Sequence, residues 1–193
     1  MILYGASGHG KVVKSASTID VLLFFDDNPL LHSWGGVNVS TYRADYLPDE
    51  LVAISIGNNK IRKRVSKRIS HDFATVIARS AEIDTSCSIG IGAQILQSAL
   101  IQASARIGEH VIVNSMASID HDCVVGDYCH IAPNATLCGN VTLGEGVLIG
   151  AGAVVIPGVS IGDWAVVGAG SIVTKNVSSA SLVYGNPARK VNQ

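Results

Sequence analysis

Branched aliphatic residues recur at every sixth position through the second half of the chain. The series runs without a gap through Ile77, Ile83, Ile89, Ile95, Ile101, Ile107, Val113, Ile119, Val125, Ile131, Leu137, Leu143, Ile149, Val155, Ile161, Val167 and Val173. Smaller residues such as Ala81, Ala99 and Ala117 stand two places before the later members. A period of six suits neither an α-helix, with about 3.6 residues per turn, nor a flat strand. It is typical of a parallel β-helix, in which each short strand turns one large and one small side chain inward.

The hexads also predict the dimensions of this β-helix. Three of them would close a coil of about 18 residues, which makes roughly five coils. We assign residues 77–177 to the β-helix and residues 178–193 to a tail that caps its open end, where backbone groups would otherwise stay unpaired. The composition agrees, because 48% hydrophobic but only 5% aromatic residues suit a narrow core.

Residues 1–76 follow a different pattern, in which short apolar runs alternate with helical segments. The apolar runs predict strands at 1–4, 21–25, 51–56 and 73–77, and helices beginning at Lys11 and covering 60–69, with Asn58 or Asn59 as the cap of the second. Residues 30–47 are poorly periodic and predict a loop or a short strand. Alternating strands and helices indicate a small parallel sheet, so we expect a Rossmann-like α/β domain before the β-helix, in a chain that is mainly β.

A glycine-rich turn, Gly5-Ala-Ser-Gly-His-Gly10, follows the first predicted strand. Glycines let the backbone approach a phosphate closely, and the following helix offers unpaired N–H groups. Asp26 and Asp27 end the second strand, where a dinucleotide-binding domain holds a sugar hydroxyl. The spacing is not Gly-x-Gly-x-x-Gly and the sheet is small, so a mononucleotide or nucleotide-sugar is favoured over NAD. A tight turn without a ligand is the alternative.

His121 is the candidate catalytic residue of the β-helix. It falls two places after the inward Ile119, which predicts a corner of the coil, and it stands between Asp120 and Asp122. A neighbouring carboxylate favours the imidazolium and can hold one tautomer, as a general base needs. One coil later Gly139 would stack over it, leaving room for a ligand and a backbone N–H for developing negative charge.

Charge and cysteine usage narrow the class of protein. The formal net charge is −1, which predicts no general attraction to nucleic acid. The basic cluster Lys60, Arg62, Lys63, Arg64, Lys67 and Arg68 is interpreted as a solvated helix face, since no aromatic platform is evident beside it. Three of the four cysteines, Cys87, Cys123 and Cys129, fall in small inward slots, and none has zinc-like spacing. Without an apolar span or a signal-like start, we expect a cytoplasmic protein that does not insert into membranes.

These features together resemble the left-handed β-helix sugar acyltransferases of the hexapeptide-repeat group, and most of all the UDP-4-amino-sugar N-acetyltransferases that act on bacillosamine-type sugars. The resemblance rests on the hexads, the Gly5–Gly10 turn, Asp26-Asp27, His121-Asp122, His130 and the tail Gly185-Asn-Pro-Ala, and it covers essentially the whole chain. It implies a left-handed coil, a homotrimer and acetyl-CoA bound between neighbouring subunits, with no metal. The expected activity is transfer of acetyl from acetyl-CoA to the 4-amino group of a UDP-4-amino-4,6-dideoxy-sugar, for surface glycan or glycoprotein synthesis.

The resemblance also implies residue roles. His121 would act as general base and Asp122 would raise its basicity, although relatives carry glutamate where this chain has Asp122, so Asp120 is an alternative partner. Residues expected to hold or line the site of the nucleotide-sugar are Ser7, Gly8, His9, Gly10, Asp26, Asp27, Ile56 and Gly57. Residues expected to contact acetyl-CoA are His130, Gly139, Ala151 and Ala169.

Two alternatives remain open at this stage. A close relative would O-acetylate a sialic-acid-like sugar or N-acetylate a GDP-linked amino sugar such as perosamine. A distant one would be a solenoid scaffold related to γ-carbonic anhydrases, with His110, His121 and His130 as a conceivable zinc set. Their spacings of 11 and 9 do not place these histidines in one register of the hexad.

Overall fold

The computed structural model describes residues 1–191. Its N-terminal part contains five strands and two helices. The strands are β1 (Ile2–Tyr4), β2 (Leu23–Phe25), β3 (Ser33–Trp34), β4 (Val37–Ser40) and β5 (Val52–Ile54), and the helices are α1 (Gly8–Ala16) and α2 (Asn59–Ser66). The sheet order is β3-β4-β2-β1-β5, with β3 alone antiparallel to its neighbour. This is a small Rossmann-like sheet, and two short strands occupy the segment of weak periodicity.

The first helix begins earlier than the sequence pattern predicts. Gly8, His9 and Gly10 form its first turn, before Lys11, and Ser7 is the N-cap residue. Gly10 is required by packing, because a Cβ there would lie 2.5 Å from the carbonyl oxygen of Gly5. Glycine is a poor helix former, which explains why the sequence favours a later start; here its small size lets the helix approach β1.

The second half of the chain is a parallel β-helix of two-residue strands. In chain order, β6 to β22 are Val76–Ile77, Glu82–Ile83, Ser88–Ile89, Gln94–Ile95, Leu100–Ile101, Arg106–Ile107, Ile112–Val113, Ser118–Ile119, Val124–Val125, His130–Ile131, Thr136–Leu137, Thr142–Leu143, Leu148–Ile149, Val154–Val155, Ser160–Ile161, Val166–Val167 and Ile172–Val173. Each strand pairs in parallel with the strand 18 residues away, as Leu100–Ile101 does with Ser118–Ile119. The predicted fold class and coil length are therefore confirmed.

The strands form three walls of a prism. Wall A contains β6, β9, β12, β15, β18 and β21; wall B contains β7, β10, β13, β16, β19 and β22; wall C contains β8, β11, β14, β17 and β20. The chain turns at three corners, which we name by the walls they join. Corner A/B includes 150–152, corner B/C includes 120–122 and corner C/A includes 126–128. Along each corner, from residue 92 to residue 170, the third of these residues, such as Asp122, Tyr128 or Gly152, has a positive φ.

The hexad aliphatics form the core, with an exception at the first coil. Ile95, Ile101 and Ile119 are fully buried, whereas Ile77 is 41% exposed. Ile77 starts the first coil and has no rung before it to cover it. Cys123 and Cys129 are buried, Cys87 is partly buried, and all four cysteines are free thiols.

The segment predicted as a capping tail starts with one more rung. Strand β23 (Leu182–Tyr184) pairs in parallel with β21, and Val183 is buried in the β-helix core. Strand β24 (Arg189–Lys190) then folds back antiparallel on β23. The rung pattern thus continues past residue 177 with a shorter coil, since Val166 pairs with Leu182. Residues 192–193 of the predicted tail lie outside the described residues.

The N-terminal domain lies against wall A. Helix α1 shares an apolar cluster with Leu96 and Ile112, and α2 runs along corner C/A, where Lys63 pairs with Glu145. The interpretation of the basic cluster as a solvated face is wrong for Arg62, which is fully buried. It also missed aromatic neighbours: Lys63 lies over the rings of Tyr128 and Trp164, at 5.5 and 5.4 Å from their centroids. Both rings lie on corner C/A, far from Lys63 in sequence.

Helices α1 and α2 contain nine and eight residues. In the part of the chain that the structure describes, no helix has the length and apolar character to cross a membrane.

Candidate active site

His121 and Asp122 form an exposed pair at corner B/C. Nδ1 of His121 lies 2.8 Å from Oδ2 of Asp122, and the two side chains are 59% and 61% exposed. A carboxylate can only accept, so Nδ1 carries the proton and Nε2 of the neutral ring keeps its lone pair. Asp122 has a φ of 60°, and this left-handed corner turns its side chain alongside that of its neighbour rather than to the opposite face. One methylene less than glutamate is therefore enough to reach the ring.

The acidic neighbours raise the pKa of His121 above its ordinary value. The hydrogen bond to Asp122 is the largest cause, followed by the charge of Asp120. Asp120 does not replace Asp122 as the ring's partner, because its Oδ1 accepts the backbone N–H of His121 at 2.8 Å. Asp122 therefore holds the imidazole ring of His121, and Asp120 holds its backbone.

Gly139 lies directly over the imidazole, one coil after His121. A Cβ at this position would lie 2.6 Å from both Nε2 and Cε1 of His121. Only glycine leaves the ring in place. A polar pocket of about 630 Å³ opens beside Asp122 and also includes Arg106 and Asn140, while the His121 ring is itself exposed to solvent. The corner therefore offers a basic nitrogen with free space next to it.

The predicted nucleotide turn lies at the opposite side of the prism, over wall A. Gly5 has a φ of 112°, and its carbonyl accepts the N–H of Ser7. The Ser7 side chain makes no capping hydrogen bond, and a Cβ on Gly8 would meet nothing within 4 Å. Gly8 is therefore not required by packing, and the surface next to Ser7 and Gly8 is open to a ligand.

Asp26 and Asp27 already have different hydrogen-bonding partners within the protein. Asp26 accepts the N–H of Ala6 and the N–H of Asn28, both at 2.9 Å, so it ties the glycine turn to the end of β2. Asp27 accepts the hydroxyl of Tyr4 at 2.5 Å and pairs with Arg68. Both carboxylates lie at the carboxyl end of the parallel strands, where open α/β sheets bind ligands.

His9 is fixed in a neutral tautomer. Its Nε2 lies 2.9 Å from Oε1 of Gln94, whose amide nitrogen donates to the carbonyl of Ile54 at 2.7 Å. Because the amide is oriented by Ile54, Nε2 of His9 must donate, and Nδ1 keeps a lone pair. Burial lowers the pKa of His9, with the charge of Arg62 acting in the same direction.

His130 points outward from wall A but is held by the protein at both nitrogens. Its Nδ1 donates to the carbonyl of Gly57 at 3.1 Å, and its Nε2 accepts from the amide of Asn114 at 3.0 Å. Burial, followed by the charge of Arg62, lowers the pKa of His130 to about 4. This ring is neutral at pH 7 and has no free nitrogen for proton transfer.

Ile56 and Gly57 belong to the loop between β5 and α2, which contacts the β-helix at His130. Ile56 is partly buried against the hydrophobic cluster of the N-terminal sheet that includes Ile2, Tyr4 and Phe25. Gly57 and His130 line a cleft of about 440 Å³ that also includes Asn58, Asn59, Lys60 and Trp164, and we call it the junction cleft. Behind the loop lies Arg62, which binds the carbonyls of Ile56 and Gly57.

The predicted site residues thus fall into three groups within one chain. His121, Asp122 and Gly139 meet at corner B/C. The second group lies on or beside wall A and comprises Ser7, Gly8, His9, Gly10, Asp26, Asp27, Ile56, Gly57 and His130. Ala151 and Ala169 are exposed at corner A/B, stacked one coil apart, with the N–H of Gly170 bonded to the carbonyl of Ala151.

Sequence reasoning missed three residues that organise wall A. Arg62, Gln94 and Asn114 hold the loop and the two histidines by partly buried hydrogen bonds. Arg62 was hidden in a basic run, and its burial depends on contacts with distant corners. Gln94 and Asn114 stand next to inward residues of the hexad, but Ser88, Ser118 and Thr136 do so as well, so no signal in the sequence singles them out.

The histidines of the zinc alternative do not converge. His110, His121 and His130 lie on corner C/A, corner B/C and wall A. Within residues 1–191, no three His, Cys, Asp or Glu side chains are arranged to hold a metal ion.

Both halves of the chain match known protein families. Residues 1–69 match the PglD N-terminal domain, and residues 104–139 and 140–175 match the bacterial transferase hexapeptide of six repeats. A curated protein of Bacillus subtilis (strain 168), UDP-N-acetylbacillosamine N-acetyltransferase, is 38% identical over 107 residues. That alignment spans 49% of this chain and about half, 50%, of the length of that protein.

Solved structures resemble the whole chain. PerB from Caulobacter crescentus, in complex with CoA and GDP-perosamine, is 31% identical with a TM-score of 0.93, and the match covers 99% of this chain and 96% of PerB. The acetyltransferase domain of PglB from Neisseria gonorrhoeae, in complex with acetyl coenzyme A, is 29% identical with a TM-score of 0.90 and 98% of both chains covered.

Proposed function

This chain belongs to the hexapeptide-repeat sugar acetyltransferases, and from that premise we propose that it transfers acetyl from acetyl-CoA to the 4-amino group of a UDP-4-amino-4,6-dideoxy-sugar. The bacillosamine enzyme of Bacillus subtilis supports the UDP-sugar. The complexes of PerB and PglB support CoA as the acetyl carrier. The single observation that carries the proposal is the exposed His121–Asp122 pair with Gly139 over its free nitrogen.

The reaction follows from this geometry. The amine attacks the thioester carbonyl, a C–N bond forms, and His121 Nε2 takes the proton that the amine loses. The C–S bond then breaks and CoA leaves with the electron pair. Asp122 holds Nδ1–H and stabilises the imidazolium that forms. The backbone N–H of Gly139 would receive the oxyanion of the tetrahedral intermediate, because the neighbouring N–H groups of Cys138 and Asn140 are already bonded within the protein.

We propose that the active unit is a homotrimer, because one chain separates the two halves of the reaction. His121 stands at corner B/C, whereas the nucleotide turn lies over wall A. A second copy would bring its wall A beside corner B/C of the first, and acetyl-CoA would run between them past His130, Gly139, Ala151 and Ala169. We also propose that the reaction takes place in the cytoplasm, as the sequence analysis expects.

The test of the chemistry is His121→Ala assayed with UDP-4-amino-sugar and acetyl-CoA. We expect kcat to fall at least about 100-fold, the low end for a general base. His32→Ala, at a histidine outside the site, is the control. Near-normal turnover of His121→Ala would remove this residue from the mechanism.

The test of the assembly has two parts. The solution mass should be three times the chain mass of 20.1 kDa. Inactive His121→Ala chains mixed and refolded with inactive Gly8→Trp chains should regain about a quarter of wild-type activity, since about a quarter of the shared sites would combine two intact halves. No recovery in a trimer of mixed chains would place the whole site within one chain.

A second candidate is N-acetylation of a GDP-linked amino sugar, favoured by PerB and its GDP-perosamine. O-acetylation of a sialic-acid-like sugar is a third, with a CMP-linked substrate. Thermal shifts with UDP, GDP and CMP separate the three, because a ligand that binds only the native state raises its stability in proportion to occupancy.

A further inference from the structure

Arg62 is the largest fully buried side chain of the described chain. Its Nε donates to the carbonyl of His110 at 2.8 Å. Its Nη2 donates to the carbonyls of Tyr128 and Cys129 at 2.7 and 3.1 Å and to Oδ1 of Asn59 at 3.0 Å. Its Nη1 donates to the carbonyls of Ile56 and Gly57 at 3.0 and 3.3 Å. This guanidinium therefore joins α2, the Ile56–Gly57 loop and two rungs of corner C/A.

The positive charge of Arg62 has no negative partner within residues 1–191. Its acceptors are neutral carbonyls and an amide, and it forms no ion pair there. Burial lowers the pKa of Arg62 to about 10, so the group is still protonated at pH 7. A buried charge is costly unless an opposite charge compensates it. An anion bound close to Arg62 would supply that compensation.

The hydrogen bonds of Arg62 also orient the loop in front of it. The one cis peptide bond among the described residues is Asn186–Pro187, so the peptides of residues 56–58 are trans. In a trans peptide the C=O and N–H groups point in opposite directions. Because the carbonyls of Ile56 and Gly57 point to Arg62, the N–H groups of Gly57 and Asn58 point away from it. Within residues 1–191 neither N–H has an acceptor.

These N–H groups border the junction cleft, which Gly57, Asn58, Asn59 and Lys60 line together. Backbone N–H groups that face the same side of a turn can bind an anion. The first turn of α2 adds further N–H groups, and the Lys60 side chain adds a second positive charge. The cleft is thus built for an anion of phosphate character.

We propose that Arg62 is a positioning residue for the phosphate groups of the nucleotide-sugar: it turns the N–H groups of Gly57 and Asn58 toward the junction cleft and supplies the positive charge behind them. This inference rests on the proposed function, which supplies a substrate with a diphosphate. It assigns to α2 a part in substrate recognition in addition to its contact with corner C/A.

The first test compares Arg62→Gln with Arg64→Gln, which removes the same charge from an exposed position of the same helix. Dissociation constants are measured for UDP and uridine, and for GDP and guanosine. The advantage of the diphosphate over the nucleoside should fall at least about 10-fold in Arg62→Gln, as for the loss of a hydrogen-bonding contribution to a charged group. It should stay within about 2-fold in Arg64→Gln, whose charge is screened by water. An unchanged advantage in folded Arg62→Gln would overturn the proposal.

A second pair of variants leaves Arg62 in place and carries the test should Arg62→Gln not fold. Asn58 has a φ of −74°, which proline adopts, so Asn58→Pro removes the N–H without breaking a hydrogen bond within the protein. Asn58→Ala loses the same side-chain cap to Ile61 but keeps the N–H. The diphosphate advantage should be several-fold smaller in Asn58→Pro than in Asn58→Ala, and equal values would contradict the proposal.

Kinetics separate this role from a purely structural one and from failure of the proposed function. Arg62→Lys keeps the charge but cannot serve all the carbonyls, so its KM for the nucleotide-sugar should lie between those of wild type and Arg62→Gln, with kcat little changed. An active wild type whose variants all keep the wild-type KM would refute the role of Arg62 alone. A wild type that binds no nucleoside diphosphate and acetylates no amino sugar would refute the proposed function and this inference together.

Discussion

Corner B/C and the junction at wall A place histidines in opposite environments. At corner B/C, His121 is exposed, its partner is a carboxylate, its pKa is raised, and one ring nitrogen is free. At the junction, His130 is partly buried, both of its nitrogens are bonded, and burial beside Arg62 lowers its pKa to about 4. His110, close by on corner C/A, also has a pKa of about 4. The difference shows that a histidine keeps an accessible, more basic nitrogen where carboxylates support its charge and becomes a fixed neutral group where it lies buried beside a cation.

Acid stability gives the largest expected contrast between the two regions. The pKa of His110 is about 4 in the folded state and about 6.5 when unfolded. The unfolded chain therefore binds the extra proton between these values, and stability falls as the pH drops from about 6.5 to 4. The difference of about 2.5 units corresponds to about 3 kcal/mol for His110 alone.

The measurement is urea unfolding from pH 7 to pH 4 for wild type and His110→Asn. Asparagine is chosen because it tolerates the positive φ of 53° at this corner. The variant should lose about 3 kcal/mol less than wild type over this range. Parallel curves would mean that His110 titrates normally and that the junction does not hold its histidines neutral.

Replacing Asp122 by Asn should convert His121 toward an ordinary exposed histidine. The amide cannot support the imidazolium, so kcat should fall about 10- to 100-fold, which is part of the about 100- to 10,000-fold that a general base contributes. The pKa of His121 should also decrease, because the hydrogen bond to Asp122 is the main cause of its rise. The acid limb of the pH profile of kcat/KM should therefore move to lower pH. If the acid limb does not move, Asp122 does not set the pKa of the catalytic base.

The smallest effect is expected from a methyl group at Gly139. The added Cβ would lie 2.6 Å from Nε2 of His121, so the ring must rotate, and kcat should fall about 10-fold because the base is misplaced. Ala103→Gly, one coil on the other side of His121, changes the same methyl without crowding the ring and should leave kcat unchanged. Equal behaviour of the two variants would show that the ring does not need its observed position.

The two regions also differ in how well the sequence predicts them. His121, Asp122 and Gly139 are neighbours in sequence or lie one coil apart, so the six-residue rhythm already brings them together. Arg62 contacts residues 48 to 67 positions away at corner C/A, and no repeat reveals that contact. From sequence alone, an arginine within a basic run is interpreted as solvated, because the surface that buries it is not known.

Two other differences also arise from packing against another element. The early start of α1 depends on Gly10 touching the backbone of Gly5, a tertiary contact that outweighs helix propensity. The rung at Leu182–Tyr184 escaped the hexad pattern because its coil is two residues shorter than the others. In both cases packing against an existing element, not the residue pattern, decides the conformation.

The fixed pairing of rungs 18 residues apart constrains how such a chain can change length in evolution. Loss of six residues after Gly139 would turn everything that follows by one face of the prism and would move Ala151 and Ala169 to another edge. Loss of 18 residues would remove one full coil and leave every later side chain on its original face. Insertions and deletions in this half of the protein should therefore be tolerated when they add or remove whole coils, or when they form loops that project from a corner and leave the register intact.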